Sequence, residues 1–187
     1  MFNGLLTGAE ASIILGLAFL VTAILLNGGF FSAPGSPIPL GLAAVATTAA
    51  FFAVGSAIAA LDSYVACKGA LGSCLGGYNS LRASLLFLST VLGVQALACA
   101  AAIIPALVPY IGAAPMIAIS FTLTGLLGSI ATTLILYNQF MKCMSEQPSP
   151  WVIGLGIVII VITSVILFTG GPSMIKAIKE FKGPKWW

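Results

Sequence analysis

Five long apolar stretches alternate along the chain with short segments that hold most of its charges and prolines. Each stretch runs for about 20 residues or more, enough for a helix to cross a hydrocarbon core of about 30 Å at about 1.5 Å per residue. Lipid offers backbone amides no partner, so such stretches cross it as helices or as strands of a closed barrel. None of the five alternates with the two-residue period of a strand, and all are too long for one. The expected fold is therefore all-α: an integral membrane bundle of five transmembrane helices, one domain over residues 1–187, with helices at about 9–31, 40–66, 80–104, 116–141 and 151–169.

The breaks between stretches carry recognisable stop signals. Asn27-Gly28-Gly29 closes the first helix, since glycine tolerates the left-handed conformation that follows a helix end. The connector Ser32–Pro39 holds three prolines and no charge. Pro105 and Pro109 end the third helix, the turn Pro109–Pro115 is again uncharged, and Gly170-Gly171-Pro172 ends the fifth. Gly55 and Ala59 in the second helix, and Gly125 and Ser129 in the fourth, stand four residues apart, a spacing that lets helix backbones approach closely in lipid. These four are predicted as helix-packing positions. Gln95, near the middle of its helix, is expected to bond to a neighbouring helix. The bulky, β-branched centre of the fifth helix is expected to face lipid or a partner subunit.

The last segment, residues 172–187, is patterned differently. Met174, Ile178 and Phe181 fall on one side, while Lys176, Lys179 and Lys182 recur every third residue on the other. This predicts a short C-terminal amphipathic helix lying in the interface and stopped by Gly183-Pro184. Lys185 adds to its charge, and Trp186 and Trp187 are expected to anchor at headgroup depth.

Composition agrees with a lipid-solvated chain. Apolar residues make up 60% of it and charged ones 6%, with a mean hydropathy of +1.16, whereas soluble domains carry about 25% charged residues. No Lys or Arg precedes the first helix, so the positive segment of a secretory signal is missing and a retained first span is expected. Lys68, Arg82 and Lys142 fall on the side of the N-terminus and four tail lysines on the other. The denser cluster places the tail in the cytoplasm under the positive-inside rule. Cys67 and Cys74 then face the oxidising side, and two readings stand for them: a disulfide closing their short loop, or free structural cysteines. Cys99 reads as a packing residue and Cys143 as a lone thiol near an interface.

Candidate chemistry is sparse. The chain has no histidine and no CxxC pair, phosphate-binding glycine loop or GxSxG elbow, which removes the common routes to metal, nucleotide and acyl-transfer chemistry. No cofactor and no nucleic-acid partner are expected, only bound lipid. Glu10 and Asp62 sit at ends of the first two predicted helices, on one membrane face, beside Lys68 and Arg82. This cluster reads either as an interfacial ion-pair group or as a point where ions or protons enter. The expected function is that of a non-catalytic structural or accessory subunit of a larger membrane assembly, with other membrane subunits as partners in a homo- or hetero-oligomer. Two alternatives stand beside it: a small ion or proton channel or transporter acting as an oligomer, and a lipid- or quinone-binding subunit of a membrane enzyme.

Overall fold

Each apolar stretch is helical in the computed structural model, which describes residues 1–26, 37–69, 71–103 and 114–180. The helices are α1 (Phe2–Leu26), α2 (Pro37–Lys68), α3 (Leu75–Ile103), α4 (Ala114–Cys143) and α5 (Pro150–Glu180). All five are long and apolar enough to cross a membrane, and no strand occurs among the described residues. Consecutive helices run in opposite directions and pack on each other, and α5 returns to lie against α1. The result is a closed ring in chain order, with α1 and α5 parallel.

Every helix turns an apolar stripe inward at three- and four-residue intervals, the period that keeps side chains on one helix face. Leu6, Ile13 and Leu17 do so on α1, Leu81, Leu85 and Leu88 on α3, and Val152, Ile159 and Ile166 on α5. Lipid tails are as apolar as these side chains, so close fit rather than water exclusion holds the helices together. Small residues provide the fit. A methyl placed at Gly16 would lie 3.1 Å from Thr47 Oγ1 on α2, and one at Gly125 would lie 3.3 Å from Val91 Cγ2 on α3.

The structure corrects several expectations. Gly55 and Ala59 face out of the bundle, and nothing approaches within 4 Å of a methyl placed at Gly55. The inward face of α2 is instead Ala46, Ala50, Val54, Ala57 and Leu61. One residue of register turns a helix face by about 100°, so the small pair lies on the wrong side to serve the bundle. The fifth helix does not stop at Gly170-Gly171-Pro172 but runs unbroken to Glu180. Lys176 and Lys179 therefore belong to the last turns of a long helix, not to a separate interfacial one. Glycine and proline are tolerated inside membrane helices, where neighbouring groups can satisfy the freed carbonyls. At the other end of the chain, α1 begins at Phe2 rather than near residue 9, because Phe2, Leu6 and Ala9 already supply a buried stripe. The stop signal Asn27-Gly28-Gly29, Pro105 and Pro109, and the tail residues Lys182, Lys185, Trp186 and Trp187 lie outside the described residues.

Candidate functional site

The first turn of α1 and two connectors, α2–α3 and α4–α5, meet at one end of the bundle. Local backbone chemistry shapes both connectors. Beyond α2, Gly69 takes φ +78° and Gly72 φ +52°, then a 3-10 turn, Gly72–Cys74, leads into α3. Beyond α4, Ser145 is left-handed at φ +57°; its N–H donates to the Lys142 carbonyl at 3.0 Å and that of Glu146 to the Met141 carbonyl at 2.9 Å. That doubly bonded cap turns the chain sharply and sets Glu146 beside the end of α2. Pro150 then opens α5, where a missing N–H costs nothing.

Three polar groups tie this end together. Glu146 Oε1 accepts a hydrogen bond from the Tyr64 hydroxyl at 2.5 Å and pairs with Lys68 Nζ at 3.1 Å. The Tyr64 hydroxyl and the Lys68 ammonium hold the Glu146 carboxyl below the usual carboxylate range. Arg82 Nε donates to both Asp62 oxygens, at 3.1 and 3.3 Å, and the Tyr78 hydroxyl donates to Asp62 Oδ1 at 2.7 Å. Deeper in, the buried Tyr137 hydroxyl donates to Asn3 Oδ1 at 3.0 Å and accepts from the Ser149 N–H at 2.9 Å, linking α1, α4 and the start of α5.

The disulfide does not close the short loop. Cys74 bonds Cys143, 69 residues further on, and Cys67 is an exposed free thiol. Cys67 points outward from the last turn of α2, whereas Cys74 is buried on the 3-10 turn next to the final residue of α4. Cys143 is therefore no lone thiol, while Cys99 is buried within α3.

Of the sequence-predicted cluster, Asp62, Lys68 and Arg82 come together at this end and Glu10 does not. With α1 starting at Phe2, Glu10 lies two turns inside the helix, 2% exposed, and its Oε2 has no hydrogen-bond partner. Gln95 Oε1 and Thr163 Oγ1 are likewise buried and unpaired, so the bond expected of the Gln95 carbonyl oxygen is not made. Counted from the start of each helix at about 1.5 Å per residue, Glu10, Thr163 and Gln95 lie about 12, 20 and 30 Å from this end. They belong to three different helices at three depths and do not form one site. Gly125 and Ser129 do lie in the α3–α4 region, Ser129 donating to the Leu126 carbonyl at 3.0 Å.

Two hollows adjoin these groups. A cavity of about 130 Å³ is lined by Met1, Phe2, Asn3, Tyr64, Met141 and Glu146. An open groove of about 370 Å³ runs between α3 and α4, with Ser80, Ser84, Phe87, Gly128, Ser129, Thr132 and Leu136 along it. The Ser84 and Thr133 hydroxyls join the two helices there at 2.7 Å.

Sequence reasoning missed Glu146, Cys143, Asn3 and the tyrosines Tyr64, Tyr78 and Tyr137. A signal for the tyrosines existed: all three lie within about two turns of the ends of their spans on one side, where aromatic residues with a polar tip gather. Comparison with known proteins finds no matching family model, no matching curated protein and no matching solved structure.

Proposed function

We propose that the chain is a non-catalytic accessory subunit of a larger membrane assembly, joined to a partner helix along the outer face of α2. The observation that carries this reading is the outward orientation of Gly55 and Ala59, flanked by the exposed Thr48, Ser56 and Ser63. Those three hydroxyls donate to carbonyls of their own helix, at 2.8 to 3.0 Å, and so leave no unsatisfied donor, and the exposed Phe52 stands beside the small residues as a ring that a partner helix would cover. Bulky side chains meet lipid as well as small ones do, whereas the small patch from Gly55 to Ser63 suits the close approach of another helix. The end face supports the same reading, because Asp62 and Glu146 are already paired with cations of the same chain. The Cys74–Cys143 disulfide favours an oxidising compartment for that end, which leaves the basic tail in the cytoplasm.

Purification in a mild detergent tests the proposal. A second membrane polypeptide, or a stoichiometric oligomer of this chain, should accompany the protein and be lost from Gly55→Leu and Ala59→Leu variants. Because the position beside Gly55 is empty, these variants should keep the helical content and melting behaviour of the unaltered bundle. A monomer unaffected by either change overturns the reading. The alternative of ion or proton handling is favoured by a different observation, the unpaired Glu10.

A further inference from the structure

We propose that Glu10 is a reversible proton-binding site, reached from the disulfide-bearing end through the cavity beside Tyr64 and Glu146 and closed towards the opposite end of the bundle. Asn3 lines that cavity. Thr7 and Glu10 follow it at the four- and seven-residue spacings that stack side chains on one helix flank. This flank lies about a third of a turn round α1 from Gly16, the residue that packs on α2. The polar line ends at Glu10, since the next positions on the flank are Ile14, Leu17 and Val21. Thr7 donates its hydroxyl proton to the Asn3 carbonyl at 2.8 Å, which leaves its oxygen able to accept from water. A cavity of about 130 Å³ has room for on the order of a few waters, so exchangeable protons can stand within two helical turns of the carboxyl.

The surroundings of Glu10 select a proton as the occupant. An ionised carboxylate among hydrocarbon, one oxygen without any partner, bears a desolvation cost that taking up a proton removes. Among the described residues no ion pair reaches Glu10. Lys68 and Arg82, the cations at the near end in described ion pairs, are engaged with Glu146 and Asp62. From α2 the titratable groups at this end are Asp62, Tyr64, Cys67 and Lys68. From α4 there are Lys142, exposed in its last turn, and Tyr137, close enough to interact electrostatically with Glu10 but with its hydroxyl bonded to Asn3 and Ser149. Residues 151–170 of α5 include no titratable side chain. A metal ion fits poorly: hard cations gather about six or more oxygens, and no group of three potential metal-ligating side chains exists among the described residues.

Infrared spectroscopy of the full chain in lipid vesicles tests this. The protonated-acid carbonyl stretch should be present in the unaltered protein and missing from Glu10→Gln. It should shift on transfer to heavy water at least roughly an order of magnitude faster than helix-core amides exchange, since those need local opening. Thr7→Val should slow that shift by a similar factor. An acid signal that survives in Glu10→Gln, or one that exchanges no faster than the core amides, overturns the proposal. Should Glu10→Gln fail to fold, the unaltered chain still decides the matter. An apolar carbodiimide, which adds as a whole molecule to a protonated carboxyl, should label Glu10 in acid. Raising the pH on the disulfide side alone should suppress that labelling. A Glu10 unlabelled in acid, or labelled regardless of the pH on that side, refutes it. Neither readout depends on whether a partner subunit is present.

Discussion

At the scale of single residues, Gly156 leaves the least room among the described glycines. A methyl there would meet both Leu134 methyl carbons at 2.6 and 2.7 Å and Cγ at 2.9 Å, so the branch point of Leu134 must move and not only its tips. Gly156→Ala should therefore lower the stability of the bundle by about 1–3 kcal/mol. Gly154→Ala, with nothing within 4 Å, should stay within about 0.5 kcal/mol of the unaltered protein. Denaturation in mixed detergent reads both, and adding Leu134→Ala should recover part of the Gly156→Ala loss. Glu146 gives a prediction of opposite kind. Its carboxyl is held below the ordinary carboxylate value by Tyr64 and Lys68, so the folded state favours the ionised form. The stabilisation is fully present above the ordinary value and is lost as the pH falls through the lowered one. Melting temperatures should thus fall on acidification, and part of that slope should vanish in Glu146→Gln. The pair is more than a third exposed, so solvent screening keeps the effect small.

At the scale of helices and connectors, α3 and α4 are joined twice. The Cys74–Cys143 bond clamps their ends, and the Ser84–Thr133 hydrogen bond holds them further in. Replacing Cys74 and Cys143 together by serine should cost about 2–4 kcal/mol, because the bond closes a long loop in the unfolded chain. Cys67→Ser should cost almost nothing, since its side chain is exposed and free. Peptide mapping without reduction should recover residues 74 and 143 in one linked species. A double-mutant cycle of Ser84→Ala and Thr133→Val should give a coupling of about 0.6–1.7 kcal/mol. The number and order of these helices were legible in the sequence, because five apolar runs of membrane length leave no other arrangement of the backbone. Their ends were not. Polar Asn3, Thr7 and Glu10 obscure the start of α1, although Phe2, Leu6 and Ala9 bury a flank about 100° away. The Gly-Gly-Pro of α5 resembles a stop in water but is tolerated in lipid. Spacing alone could not say that Gly55 and Ala59 face away from the core. The partner of Cys74 was beyond reach for a related reason: local spacing favoured Cys67, while the bond depends on where α4 ends.

At the scale of the whole molecule, the ring gives the chain two unlike ends, and two observations bear on the proposed orientation. Counting lysine and arginine alone, Lys68, Arg82 and Lys142 oppose Lys176, Lys179, Lys182 and Lys185, too close a score for the positive-inside rule to decide with force. The disulfide supports the proposed orientation, because Cys74 and Cys143 lie at the end with fewer basic residues and such bonds persist where thiols are not kept reduced. In the proposed orientation the basic tail is cytoplasmic and the tyrosine-rich end lies outside. Cys67 reports this directly, being an exposed thiol at that same end. In intact cells a membrane-impermeant maleimide should label Cys67 before any permeabilisation, and Cys67→Ser should abolish the signal. Cys99, buried in α3, should stay unlabelled in both. If Cys67 reacts only after the membrane is opened, the orientation is reversed. Cys74 and Cys143 would then face a reducing compartment as thiols, and the Glu10 cavity would open to the cytoplasm.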